Sequence, residues 1–70
     1  MTLPVATVEG IVRSAGVNRI SSDATAVIIE QTEKYIKDVS AKAFVYTQHA
    51  GRSTLKGVDV EATLGITANQ

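Results

Sequence analysis

The stretch "SSDATAVIIEQTEKYIKDVSAKAFVYTQHAG", Ser21 to Gly51, decides the fold. Ser21 or Ser22 offers an N-cap, and Asp23 falls in the first turn, where the helix dipole favours an acid. No glycine or proline then interrupts the chain until Gly51. Ala24, Val27, Ile28, Tyr35, Ile36, Val39, Ala43 and Tyr46 keep helical spacing throughout. The spacing predicts one helix about 40 Å long at 1.5 Å per residue. A globule of 70 residues has a diameter of only about 25 Å. Such a helix must protrude or lie against an equal partner, and its apolar width favours a partner helix over a ligand site.

Working outward, the preceding segment runs from Pro4 to Ala15. Pro4 suits a first helical position, and Val8, Ile11, Val12 and Ala15 form one stripe at i, i+3, i+4 and i+7. Gly16 reads as the left-handed residue that closes this helix. Gly10 is its weak point, since an interior glycine costs about 1 kcal/mol relative to alanine. "VNRI", Val17 to Ile20, reads as a short extended piece.

On the far side, "STL", Ser53 to Leu55, is a second extended piece. "KGVDVEATL", Lys56 to Leu64, is a short final helix with Asp59 and Glu61 in its opening turns and Gly65 as its stop. "GITANQ" has no pattern and should fray. The expected organisation is an all-α domain over residues 1–65 with a frayed end over 66–70. "SAGVNRIS" and "HAGRSTLK" form a near-repeat at the two ends of the long helix: Ala-Gly, then an arginine, then a branched apolar residue.

A chain this short buries roughly 60% of its unfolded surface if it folds alone. It has no Trp, one Phe, two Tyr and no Cys, so neither large aromatics nor disulfides can reinforce the core. Sharing a core with another chain is the remaining route, and obligate dimerisation is expected. No segment approaches the roughly 20 apolar residues of a membrane span, and "MTLPVATVEG" lacks a signal-peptide layout. A cytoplasmic protein is expected. Formal charge is zero, so any attraction to nucleic acid must come from where the charges sit.

Acids precede bases at i, i+4 in Glu9–Arg13, Glu30–Lys34, Glu33–Lys37 and Asp38–Lys42, the layout of a solvated helix face. Arg19, Arg52 and Lys56 are left without such partners and lie in the two loops beside Ser21, Ser53 and Thr54. Loops of this kind suit phosphate, because helix-start amides and hydroxyls donate and arginine reaches two oxygens at once. An Arg-Ser-Thr turn also serves as ordinary local capping.

Catalysis and metal binding find no support. His49 has no cysteine or second histidine to join it. A Ser53–His49–Asp59 triad would lack a pocket and an oxyanion hole. "GRST" misses a phosphate-binding loop at Tyr46 and Arg52. No catalytic residue, cofactor or metal is expected.

With these pieces placed, the chain resembles an archaeal histone from "LPVA" to about Leu64. "LPVATV", "AGVNRISSDA" and "HAGRSTLKGVDVE" carry the resemblance. It implies a histone fold: a handshake dimer of crossing long helices, with one chain's first loop beside the other's second. The paired loops would face the backbone and minor groove of duplex DNA. Arg19, Ser21, Ser53 and Thr54 would lie at the DNA, with Arg13 and Lys56 as flanking backbone contacts. Arg52 would pair with Asp59 to brace the second loop. Tyr46, His49 and Asp59 would join two dimers, giving a tetramer or filament on DNA. Ile28, Tyr35, Ile36, Val39 and Ala43 would form the dimer core.

The chain departs from the family at Gly10 and Val45, where basic residues are frequent, at Ser53, where lysine is common, and in its ending "LGITANQ", which lacks the basic residues often seen there. Each lost cation removes roughly 0.9 from the salt slope of binding. The implied function is a nucleoid-associated protein that bends, wraps or compacts DNA without sequence specificity, its grip weakened or partner-dependent. The alternative is an interaction module that pairs with more basic histones and binds DNA weakly alone.

Overall fold

The computed structural model describes residues 3–66. Three helices follow in order: α1, Val5–Ser14; α2, Ser22–His49; and α3, Gly57–Leu64. Among the described residues there is no strand, and "VNRI" and "STL" stay as loop. The fold is all-α. The chain divides into two compact units, Met1–Lys34 and Tyr35–Gln70, with the boundary inside α2.

In the first unit, Pro4 stands one position earlier than its sequence suggests. Its ψ of 125° is extended, so it caps α1 from outside, and its carbonyl accepts the Val8 amide at 3.2 Å. Gly16 follows with φ +101° and donates its amide to the Arg13 carbonyl at 2.9 Å. Ser21 settles the choice of N-cap for α2, its hydroxyl accepting the Ala24 amide at 3.3 Å. Among the described residues of this unit the buried side chains are Val8, Thr25 and Ile29. The Leu3 amide donates to Glu33 Oε2 at 3.1 Å, tying the entry of α1 to α2.

In the second unit, α2 ends in a reciprocal cap. The Gly51 amide donates to the Gln48 carbonyl at 2.9 Å and the Arg52 amide to the Thr47 carbonyl at 3.1 Å. This closure needs a residue with positive φ at its centre, and Gly51, at +73°, supplies it without a Cβ clash. Ala43 and Thr47, one helical turn apart, are both fully buried, and Asp59 of α3 is 3% exposed. α3 then closes at Gly65. The patternless end expected beyond it lies, from residue 67 onward, outside the described residues.

The four acid–base pairs and one expected dimer-core residue take the following places. Of the four acid–base pairs, Asp38–Lys42 closes at 3.2 Å; among the described residues Glu9–Arg13, Glu30–Lys34 and Glu33–Lys37 make no ion pair. Exposed pairs gain little over water, and Glu33 has the Leu3 amide instead. Ala43, expected in a shared core, is 0% exposed within its own chain, because it lies on the stripe of α2 that carries Thr47. It has no surface left for a partner.

Among the described residues no helix is long and apolar enough to cross a membrane.

Candidate nucleic-acid interface

The second loop is built around one carboxylate. Asp59 is the third residue of α3, and its Oδ2 accepts the amide of the capping Lys56 at 3.0 Å. The same oxygen accepts the Thr47 hydroxyl at 2.6 Å and Arg52 Nη1 at 3.0 Å. Oδ1 accepts Arg52 Nη2 at 2.9 Å. Four donors thus converge on a buried group, the number a carboxylate can accept. Arg52, Thr47 and the Lys56 amide, in that order, hold the Asp59 carboxyl well below the usual carboxylate range. The bond to Asp59 in turn raises the Arg52 guanidinium above its ordinary value.

The brace decides what the loop can offer. Arg52 Nη1 also donates to the Thr54 carbonyl at 3.0 Å, so its guanidinium is spent on holding the turn. Ser53, Thr54 and Lys56 are exposed, and among the described residues their side chains have no hydrogen-bond or ion-pair partner in the chain. Two hydroxyls and an ammonium are therefore presented on a turn whose backbone is fixed from within. Such a surface can take a phosphate oxygen.

The first loop is simpler. Arg13, in the last turn of α1, and Arg19 are exposed, and among the described residues neither makes an ion pair. The Ser21 hydroxyl caps α2 and, lying beside Asp23, holds that carboxyl below its ordinary range. Ser21 is a cap before it is anything else.

The remaining expected sites lie along α2 and at Asp59. Ile28, Tyr35 and Ile36 are 37%, 59% and 49% exposed, and Val39 is half-buried. Tyr46 and His49 are exposed near the end of α2. Asp59, also expected between dimers, is almost wholly occupied within its own chain.

The first unit also carries a cleft of about 400 Å³, whose lining includes Val5, Ala26 and Ile29 together with Glu9, Glu30 and Glu33. Its acids would repel phosphate, so the loops and not the cleft are the candidate interface. Among the described residues no group of three His, Asp or Glu side chains is placed to hold a metal.

Thr47 is the residue that the sequence did not announce. The usable signal was a polar residue on the inner stripe of α2, one turn after Ala43, with an acid following at the start of α3.

The model of the family described as histone-like transcription factor (CBF/NF-Y) and archaeal histone matches residues 1–64. A subunit of the archaeal histone HAN1 of Thermococcus zilligii is 41% identical over 58 residues, which cover 83% of this chain and 87% of that protein. Probable archaeal histone 3 of Methanocaldococcus jannaschii is 36% identical over 62 residues, 89% of this chain and 92% of that protein. Centromere protein T of Gallus gallus is 38% identical over 42 residues, 60% of this chain but only 7% of that protein.

Proposed function

Since the chain belongs to the family of histone-like transcription factors (CBF/NF-Y) and archaeal histones, we propose that it is a DNA-binding architectural protein of the chromosome. It acts as a handshake dimer that bends or wraps duplex DNA without reading its sequence. The observation that carries this is the second loop: Arg52 is consumed in bracing it, while Thr54 and Lys56 are left facing outward. Thr54 donates to a phosphate, Lys56 and Arg13 contact neighbouring backbone, and Arg19 reaches the minor groove. Ser21 and Ser53 add hydroxyls beside them. Contacts of this kind select for deformability and not for base sequence.

What the chain leaves in water supports the dimer. Among the described residues Val8, Ile29 and Ala43 are its buried apolar side chains, while Ile28, Tyr35, Ile36 and Phe44 are among the large ones exposed. A partner's α2 crossing over Ile28, Tyr35, Ile36 and Val39 gives these a core. Tyr46 and His49 join dimer to dimer. Nuclease digestion of the protein on long DNA tests the wrapping: protected fragments stepping by a fixed length are expected, and continuous degradation would count against it.

One observation favours a second reading. The chain's formal charge is zero, where a DNA-wrapping surface calls for an excess of cations. The relative from Thermococcus zilligii is named as one subunit of a histone. On this reading the chain pairs with a more basic histone and tunes or caps its assembly. Native mass spectrometry after co-expression with such a histone separates the two: mixed dimers support the second reading, homodimers alone the first.

A further inference from the structure

In a helix, threonine ordinarily returns its hydroxyl to the carbonyl four residues back. Thr25, Thr32 and Thr63 do so, bonding Ser21 at 3.1 Å, Ile28 at 2.7 Å and Asp59 at 3.1 Å. Thr47 departs from them. Its Oγ stands 3.5 Å from the Ala43 carbonyl but 2.6 Å from Asp59 Oδ2. One proton cannot serve both acceptors, and the short bond to a charged oxygen takes it. Thr47 is also 0% exposed, so no water competes for it.

The origin of the donors gives this bond its importance. Arg52 and Lys56 both belong to the loop that Asp59 braces. Thr47 alone among them comes from α2. It also accepts the Arg52 amide on its carbonyl, so the same residue holds the loop by main chain and by side chain. Without the hydroxyl, the loop and α3 would still be tied to each other, but the side-chain link from their carboxylate back to α2 would be gone.

We propose that Thr47 is the positioning residue of the second loop: its hydroxyl fixes Asp59, and through Asp59 the Lys56 amide and the Arg52 fork, in the arrangement that presents Thr54 and Lys56 to a phosphate of bound DNA. This rests on the DNA-binding reading above and extends it to a residue that touches no DNA. A valine at this site keeps the shape and removes the donor; a serine keeps the donor and removes the methyl.

The test compares the wild-type chain with Thr47→Val and Thr47→Ser. Two quantities are read: affinity for a mixed-sequence duplex across a salt series, and exchange of the Lys56 amide by NMR. Thr47→Val is expected to keep its helix content and dimer, to bind DNA about fivefold to tenfold more weakly, and to lose roughly 0.9 from the salt slope. Its Lys56 amide exchanges faster than in the wild type. Thr47→Ser restores all three. A Thr47→Val protein with wild-type affinity, slope and Lys56 exchange overturns the proposal. Should Thr47→Val fail to fold, Thr47→Ser decides: native values support the hydroxyl, and wild-type-like folding with a displaced loop overturns it. A wild-type chain that shifts no DNA overturns the underlying reading and the phosphate role together. That outcome is distinguishable, since the proposal failing alone leaves wild-type binding intact.

Discussion

Arg52 grips Asp59 with both terminal nitrogens, Nη2 to Oδ1 at 2.9 Å and Nη1 to Oδ2 at 3.0 Å. Two parallel bonds of this kind need a planar fork, which lysine lacks. Arg52→Lys should therefore keep the charge and lose the geometry, lowering the thermal midpoint by roughly 5 °C. Asp59→Asn should cost more, because its amide turns a donor toward donors already converging on that position. Melting both variants by circular dichroism checks the ranking. An Arg52→Lys midpoint equal to that of the wild type would mean that the fork adds nothing to the fold.

Acid should undo the same brace. The Asp59 carboxyl is held well below its ordinary value by Arg52, Thr47 and the Lys56 amide. Its folded pKa lies below its unfolded pKa of about 3.9. The stability it contributes is then full above that unfolded value and lost as pH falls through it toward the folded one. The wild-type midpoint should hold from neutrality to about pH 5 and fall below about pH 4. Asp59→Asn should begin lower and fall less over the same interval. Parallel curves for the two proteins would remove Asp59 from the account.

Gly10 offers a gain. It lies inside α1, its φ is negative, and a Cβ built there meets nothing within 4 Å. Gly10→Ala should stabilise the fold by about 0.5–1 kcal/mol, through the freedom it removes from the unfolded chain and the better helix propensity. Gly10→Arg should keep most of that gain. If α1 lies along DNA as proposed, it should also steepen the salt slope by roughly 0.9. Greater stability with an unchanged slope would place Gly10 away from the DNA.

Much of this was legible in the chain because the signals are local. An uninterrupted apolar repeat from Ala24 to Tyr46 leaves little but a helix. Ala-Gly pairs at Gly16 and Gly51 mark where each helix must reverse its backbone. The Arg52–Asp59 pair was legible only through family resemblance. Thr47 left only a faint signal, a polar residue on the inner stripe, since its partner lies twelve positions away and a threonine in a helix ordinarily bonds its own turn. The acid–base spacings were legible as a solvated helix face, and of the four Asp38–Lys42 alone closes among the described residues. Spacing shows which side chains can meet, but water decides whether exposed charges do.

The last prediction concerns concentration. Ile28, Tyr35 and Ile36 are 37%, 59% and 49% exposed in the single chain, at helical spacing in α2. Large apolar side chains left in water along one helix mark a surface that a partner can cover. If a partner's α2 does so, folding and association are one event, and the thermal midpoint must rise with protein concentration. A single-chain fold would melt at the same temperature at any dilution. Ile36→Asp should abolish the dimer outright, because the new carboxylate would be buried without a cation. It should leave an unfolded chain and not a folded monomer, as the chain's own core is only Val8, Ile29 and Ala43 among its described apolar residues. Analytical ultracentrifugation with melts across a dilution series reads both effects. A folded monomeric Ile36→Asp protein, or a midpoint independent of concentration, would show that the chain completes its core alone.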